Sequence, residues 1–196
     1  KEALNYARLE PQLIEHLVAA QQEDRELVQL QQVPELFKDT LLLVEDRDFY
    51  SHHGVSAWSV LRAFWANLQA GKTVQGGSTL TQQLAKNMYT NQQRTYFRKV
   101  NEALIALVLD YRYSKDQILE AYLNIITYRG ELEGLQAASW GLFETAPSGL
   151  NKSQSALLAA LLRAPNASPA MVAKRACLIL RDNPSAIKAT CEADFL

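Results

Sequence analysis

Two acidic residues stand where the chain changes from apolar to polar, in the stretch VEDRDFYSHHG that begins at residue 44. Glu45 follows the apolar run LLLV, so its carboxyl group has an apolar neighbour on one side. Such a neighbour disfavours the charged form of a carboxyl group and suits it to proton transfer. A solvated acid at a helix end is the alternative, because acidic pairs are common and weak signals by themselves.

A polar block, VQGGSTLTQQLAKN, follows at 74–87 and contains almost no residue suited to a core. Gly76 and Gly77 allow backbone conformations closed to other residues, or a close approach to a ligand. Ser78 or Thr79 is expected to cap a helix, whose free N–H groups favour an anion. Four polar side chains share one face of this helix: Thr79, Gln83, Lys86 and Asn87. The pattern predicts either the wall of a binding cleft or a solvated helix face.

A third polar group lies in RKVNE, residues 98–102. Arg98 and Lys99 are candidates for binding phosphate, while Glu102 supplies a second carboxylate. Two carboxylates that face each other across a cleft are typical of enzymes acting at an anomeric carbon. An Arg98–Glu102 pair within the helix is the alternative, and such a pair contributes only about 0.2–0.5 kcal/mol to helix stability.

The composition limits the class of protein. A chain of 196 residues, 48% hydrophobic and 21% charged, is long enough for one globular domain. A net charge of −1 provides no cationic field for nucleic acid, so no such partner is predicted. No apolar run approaches the roughly 20 residues of a transmembrane helix, and no signal peptide is evident. The start at Lys1 is compatible with a fragment whose targeting segment has been removed.

Helical spacing, capping residues and the scarcity of glycine and proline predict an all-α fold. A central segment at 34–165 lies between a polar lead-in at 1–33 and a weakly patterned tail at 166–196. In an oxidising compartment Cys177 and Cys191 could form a disulfide that staples this tail. The predicted helices cover about 34–44, 57–70, 79–88, 96–112, 115–126, 134–145 and 153–163.

Two helices are expected to serve packing. In the helix at 57–70, large apolar residues recur at helical spacing and predict a buried core stripe: Trp58, Leu61, Phe64, Trp65 and Leu68. A second buried stripe lies in SKDQILEAYLN at 114–124, where SKDQ has the form of a capping box: Ile118, Leu119 and Leu123. Lys115, Glu120 and Asn124 are interpreted as packing and hydrogen-bond partners of this scaffold.

Taken in order, EDRDFYSHHG, GGSTLTQQLAKN, RKVNE and KDQILEAYLN resemble the signature motifs of glycosyltransferase family 51, the peptidoglycan glycosyltransferases. The resemblance runs from about 34 to 165 and is strongest to the bifunctional class A penicillin-binding proteins of Gram-negative bacteria. It implies a lysozyme-like helical fold with two lobes and a central cleft. It also implies a substrate, lipid II, a disaccharide-peptide carried on undecaprenyl pyrophosphate and polymerised into β-1,4-linked glycan.

The resemblance further implies a role for each matching residue. Glu45 matches the catalytic base, which takes the proton of the acceptor's sugar 4-hydroxyl. Glu102 matches a second acid that assists the leaving group or orients the donor. Lys86 and Arg98, helped by Lys99, match positions that hold the pyrophosphate. Positions in the donor-site wall, which moenomycin-type inhibitors also contact, are matched by Asp46, His52, Ser78, Thr79, Gln83 and Asn87.

The resemblance also implies a cellular location and binding partners. It places the protein at the periplasmic face of the bacterial cytoplasmic membrane, in contact with lipid II, the growing glycan, the membrane surface and proteins of a cell-wall synthesis complex. Membrane contact is then the alternative to core packing for the aromatic helix at 57–70. No cofactor is required. A divalent cation, Mg²⁺ or Mn²⁺, could coordinate the pyrophosphate, although no carboxylate cluster demands one and no metal-ligating residue is predicted.

Two departures from the family pattern lie outside the expected catalytic residues and bear on the details of the acceptor site: TYRGELEG at 127–134 replaces a glycine-rich stretch, and FET at 143–145 replaces an aromatic-Phe-Gly-Lys stretch. Two rival functions stay open. One is a lysozyme-like hydrolase or lytic transglycosylase, and the other is a non-catalytic module that binds lipid II. The basic residues Lys86, Arg98 and Lys99 favour the polymerase, because the cleaving enzymes need no pyrophosphate site.

Overall fold

The computed structural model describes residues 26–71, 76–89, 96–130 and 132–182. Within these ranges the chain forms eight α-helices, two short 3₁₀ helices at Leu30–Gln32 and Pro147–Gly149, and only isolated β-bridges. The all-α prediction is confirmed. The α-helices are α1 (Glu35–Glu45), α2 (Ala57–Ala70), α3 (Leu80–Tyr89), α4 (Tyr96–Arg112), α5 (Lys115–Ile125), α6 (Gly134–Phe143), α7 (Lys152–Arg163) and α8 (Pro169–Asp182).

Local sequence signals set several helix ends. The hydroxyl of Ser56 accepts a hydrogen bond of 3.1 Å from the backbone N–H three residues later and so caps the start of α2. Gly71 ends the same helix in the left-handed conformation, with φ 63°. Ser114 and Gln117 form the capping box that starts α5. These caps are confirmed as predicted.

One main core joins side chains from α1, α3, α5 and α6. Each fully buried side chain of this kind contributes about 1.5–3 kcal/mol relative to an exposed one. The predicted burial of Ile118, Leu119 and Leu123 on α5 is confirmed. Other large buried members of this core are Phe37, Leu41, Leu80, Leu84, Tyr122 and Leu135.

A second, smaller core joins α7 and α8. The treatment of 166–196 as weakly patterned was wrong for the stretch that forms α8, because its apolar residues recur at helical spacing and pack on α7: Val172, Ala176, Ile179 and Leu180. Val44, near the end of α1, packs against the same cluster. Cys191 lies outside the described residues, so its pairing with Cys177 stays a prediction.

The described part of the lead-in segment is held on α5. Val28 donates its N–H to the Asn124 side chain at 2.8 Å, and Asn124 returns a hydrogen bond of 2.9 Å to the Val28 carbonyl. Leu30 donates its N–H to the Glu120 carboxylate at 2.6 Å. The scaffold role predicted for Glu120 and Asn124 is therefore confirmed, and both Val28 and Leu30 are buried in the main core.

The predicted core stripe on α2 is wrong. Small residues make the contact instead, because Ser59 and Ala63 are buried and Gly77 lies so close that an added Cβ would be 2.9 Å from the Val60 Cα. The large side chains of α2 therefore point away from the protein, and all five are more than half exposed: Trp58, Leu61, Phe64, Trp65 and Leu68.

Among the helices of the described ranges, none has the length and apolar character that crossing a bilayer requires.

Candidate active site

Glu45 is the last residue of α1, and its two carboxyl oxygens have different surroundings. The Oε2 atom accepts a hydrogen bond of 3.0 Å from the side-chain amide of Gln83 on α3. The Oε1 atom is buried and has no hydrogen-bond partner within the part of the chain that the structure describes. A buried acceptor left unsatisfied is costly. Among the described residues, this oxygen is therefore an unsatisfied acceptor at the end of α1.

Asp46 ends α1 and fixes the position of Glu45 relative to α3. Its carboxylate is buried, and the Oδ2 atom accepts a hydrogen bond of 2.9 Å from the N–H of Leu80, the first residue of α3. The same atom lies 2.9 Å from Nε2 of His52, whose side chain is also buried. A carboxylate at a helix N-terminus satisfies a free N–H and interacts favourably with the helix dipole.

Thr79 joins the start of α3 to the loop after Asp46. Its hydroxyl donates a hydrogen bond of 2.6 Å to the carbonyl of Gly54 and accepts one of 3.2 Å from the N–H of Gln82. Gly54 has φ 76°, and an added Cβ would lie 2.4 Å from the carbonyl oxygen of Ala106 on α4. The loop, α3 and α4 are thus locked together behind Glu45.

Glu102 is fully buried on α4 and forms two ion pairs within its own helix. Its carboxylate lies 2.8 Å from the guanidinium of Arg98 and 2.5 Å from Nζ of Lys99. Lys99 also lies 3.4 Å from the hydroxyl of Ser78. The intrahelical Arg–Glu pair, considered above as the alternative, is therefore present. In this arrangement Glu102 orients two cations.

Two hollows meet at Glu45. The smaller hollow, of about 420 Å³, is lined by Glu45, Gln83, Lys86 and Lys99 among others. The larger hollow, of about 750 Å³, is also lined by Glu45. Its other lining residues include Asp46 and four arginines: Arg47, Arg62, Arg163 and Arg175. Arg163 lines both hollows, so the carboxyl group lies between two groups of positive charge.

The structure brings some of the predicted site residues together and leaves others apart. The smaller hollow collects Glu45, Ser78, Gln83, Lys86 and Lys99. Asp46 borders the larger hollow. The other predicted residues line neither hollow: His52 and Thr79 are hydrogen-bonded in the loop behind Glu45, Arg98 and Glu102 pair on α4, and Asn87 is exposed on α3.

The four arginines of the larger hollow were not found from the sequence. Arg163 is in the last turn of α7, where a basic residue is ordinarily explained by the helix dipole. Its proximity to Glu45 depends on the packing of α7 against α1, which is a long-range contact. Arg175 is on α8, for which no helix was predicted. Only Arg47, two residues after Glu45, carried a local signal.

Within the described ranges, no group of three or more His, Cys, Asp or Glu side chains is arranged to hold a metal ion. The carboxylates near the two hollows instead form hydrogen bonds or ion pairs, as Glu45 does with Gln83 and Glu102 does with Lys99. A divalent cation at the pyrophosphate therefore stays a prediction about the bound substrate.

Comparison with known proteins identifies the class. The family model described as Transglycosylase matches residues 10–183, and the chain belongs to that family. It is 47% identical over 182 residues to penicillin-binding protein 1B of Vibrio cholerae, covering 90% of this chain and 23% of that protein. To penicillin-binding protein 1B of Escherichia coli it is 44% identical over 186 residues, covering 90% and 22%.

A shorter relative is the biosynthetic peptidoglycan transglycosylase of Alcanivorax borkumensis. It is 43% identical over 135 residues, which cover 69% of this chain and 55% of that protein. The chain thus spans less than a quarter of the two penicillin-binding relatives and about half of the shorter one.

Proposed function

We propose that this domain is a peptidoglycan glycosyltransferase, which polymerises lipid II into β-1,4-linked glycan strands and releases undecaprenyl pyrophosphate. The observation that carries the proposal is the position of Glu45 between two hollows lined with cations. Membership of the transglycosylase family and the name of the Alcanivorax relative support it.

Glu45 is proposed as the general base. The base takes the proton of the acceptor's sugar 4-hydroxyl, and the hydroxyl oxygen forms a bond to the anomeric carbon of the growing chain. The bond from that carbon to the pyrophosphate breaks, and the leaving group keeps the electron pair. Lys86 and Lys99, in the smaller hollow, offset the charge that develops on the leaving group. Direct displacement inverts the anomeric carbon.

The two hollows fit a reaction with two phosphorylated substrates. The growing chain and the incoming lipid II each carry a pyrophosphate, so each needs its own group of cations. The smaller hollow supplies Lys86 and Lys99 for the donor. The larger hollow supplies arginines, whose planar guanidinium groups can bind phosphate oxygens in pairs. Arg163 lies where the two substrates would meet.

A cleaving enzyme is a weaker fit to this site. Hydrolase and lytic transglycosylase reactions act on a finished glycan strand that has no pyrophosphate at the bond to be broken. They would place no demand for positive charge on both sides of the acid. The cations around Glu45 therefore favour synthesis over cleavage.

The test is polymerisation of labelled lipid II by the Glu45→Gln variant. We expect loss of glycan product with retained binding of lipid II, because the amide keeps the shape of the side chain and cannot take a proton. The matched control is Glu35→Gln, at the exposed start of the same helix, which should keep full activity. Normal glycan synthesis by the Glu45 variant would contradict the proposal, and cleavage of finished glycan would support the rival.

A divalent cation, Mg²⁺ or Mn²⁺, is proposed only as a partner of the substrate's pyrophosphate. Glycan synthesis should then fall when a chelator is added and return with either ion, while the thermal stability of the substrate-free protein stays unchanged. A stability loss on chelation would instead indicate an ion held by the protein itself.

The exposed aromatic face of α2 is proposed to contact the membrane surface, at the periplasmic face of the cytoplasmic membrane where lipid II resides. Tryptophan is enriched at membrane–water interfaces, and Trp58 and Trp65 are both exposed there. Trp58→Ser should reduce co-sedimentation with anionic phospholipid vesicles. Trp140, which is 51% exposed on α6, provides the control, since Trp140→Ser should leave vesicle binding unchanged. Equal losses in both variants would exclude α2 as the specific contact.

A further inference from the structure

We propose that Tyr122 is a positioning residue: its hydroxyl fixes the orientation of the Gln83 side-chain amide, and this orientation presents an N–H donor to the Glu45 carboxylate. The inference rests on the proposed function, since it explains how the base stays ready to accept a proton. Tyr122 contacts neither substrate nor reacting atoms in this scheme. It acts through Gln83.

The three side chains form a continuous chain of hydrogen bonds. Tyr122, on α5, donates its hydroxyl proton to Oε1 of Gln83 at 3.1 Å. The Nε2 atom of Gln83 then donates to Oε2 of Glu45 at 3.0 Å. The tyrosine ring is fully buried in the main core, so its hydroxyl is held rigidly at the back of the site.

The direction of these bonds matters, because the amide of Gln83 has a donor end and an acceptor end. With the amide as observed, its NH₂ group faces Glu45 and stabilises the charged carboxylate. With the amide reversed, its carbonyl oxygen faces Glu45, and a favourable contact requires a protonated carboxyl group. The orientation of Gln83 and the protonation state of Glu45 are therefore coupled.

Tyr122 selects the observed orientation. Within the described ranges, Gln83 is the one acceptor found for its hydroxyl proton, so reversing the amide would leave that proton buried without a partner. Burial, followed by the nearby charge of Glu45, raises the pKa of Tyr122 well above its usual value. The hydroxyl therefore stays protonated and remains a donor at every pH at which the protein would work.

Other charged side chains line the two hollows that Glu45 borders. They come from the loop after α1 and from five helices: Asp46, Arg47, Arg62, Lys86, Lys99, Arg163 and Arg175. Replacing Tyr122 by phenylalanine removes one neutral hydroxyl group and leaves every one of these charges in place. A change in the titration of Glu45 would thus report on the amide.

Tyr128 provides a matched control. It is a second fully buried tyrosine of the same core, and its hydroxyl has no hydrogen-bond partner in the described part of the chain. Tyr128→Phe and Tyr122→Phe remove the same atom from equally buried rings. Only the second change removes a donor to Gln83.

The first measurement is the pH dependence of lipid II polymerisation. In Tyr122→Phe we expect the acidic limb of the kcat profile to move up by about one pH unit, because the reversed amide no longer leaves a buried hydroxyl without a partner, with KM little changed. Tyr128→Phe should keep the wild-type profile. An unmoved limb in Tyr122→Phe, or equal shifts in both variants, would overturn the inference.

The second measurement does not depend on activity. Carboxyl carbons of ¹³C-labelled glutamates are titrated by NMR, and Glu45→Gln identifies the Glu45 signal. Its midpoint should rise in Tyr122→Phe and stay fixed in Tyr128→Phe. If the wild-type protein made no glycan, the proposed function would fail while this titration still decided the inference. If Tyr122→Phe did not fold, 4-fluorophenylalanine at position 122 would fill the space of the hydroxyl without donating a proton, and an unchanged midpoint in that protein would overturn the inference.

Discussion

Helices α1 and α2 are both rich in large apolar residues, but these residues are buried or half-buried on α1 and exposed on α2. Phe37 and Leu41 of α1 are fully buried in the main core. Phe64 and Trp65 of α2 are about 60% exposed, at 62% and 59%. An apolar stripe at helical spacing therefore does not by itself show that a face is buried within the protein. Burial of that face depends on contacts made by residues elsewhere in the chain.

The largest expected effect compares the same substitution on the two helices. Phe37→Ala should lower the free energy of unfolding by about 3–5 kcal/mol, because it removes a fully buried ring and leaves a cavity. Phe64→Ala should change it by less than about 0.5 kcal/mol, as is usual at exposed positions. Denaturant unfolding measures both. Similar losses in the two variants would mean that the α2 face is covered by protein.

A smaller effect is expected on binding. Lys86→Ala should weaken the binding of a pyrophosphate-bearing donor by about 10- to 100-fold, the loss typical of one charge-assisted hydrogen bond. Lys152→Ala, at the exposed start of α7, removes the same charge from a side chain that lines neither hollow and should have little effect. Affinity for the donor, measured calorimetrically, separates the two. Equal affinities would remove Lys86 from the site.

The smallest effect is the contribution of a single buried tyrosine to stability at alkaline pH. Burial raises the pKa of Tyr128 and Tyr122, and partial burial with the hydrogen bond to Asp116 raises that of Tyr50 to about 12. Below pH about 10 these tyrosines are neutral in both states, so their contribution to stability is complete. As pH rises further the unfolded chain loses protons first, and stability falls by about 1.4 kcal/mol per pH unit for each of the two buried tyrosines, Tyr122 and Tyr128. The contribution of Tyr50 is smaller, because this ring is 55% exposed and solvent screens its interactions.

Unfolding experiments between pH 8 and 11 measure this decline. Tyr128→Phe should make the decline shallower, whereas Tyr111→Phe, which alters a ring that is 89% exposed, should leave it unchanged. If the stability of the wild-type protein did not change with pH in this range, the buried tyrosines would have the same pKa in the folded protein as in the unfolded chain.

Much of the fold could be predicted from the sequence, because interactions between residues close together in the chain determine the helices and their ends. Capping residues such as Ser56, Gly71 and Ser114 act within a few residues of themselves, and the helix ends that they set were predicted closely. The burial on α5 also followed from spacing alone. The exposure of α2 did not, since it results from the close approach of Gly77 to the small residues of that helix.

Part of the candidate site could also be predicted from the sequence, because its motifs are local. Glu45, Gln83 and Lys86 were identified from motifs, and the structure places them on one hollow. The contribution of Arg163 could not be predicted, since it arrives through the packing of α7 on α1. The pairing of Glu102 with its own neighbours was foreseen as one of two alternatives, and only the geometry distinguishes them.

One carboxylate oxygen of Asp46 accepts from the first amide of α3 and also contacts His52. The spacing between the acid on α1 and the lysine on α3 is therefore set in part by a residue directly bonded to the acid. Substitutions confined to the outward-facing aromatic residues of α2, such as Trp58 and Trp65, should leave that spacing unchanged.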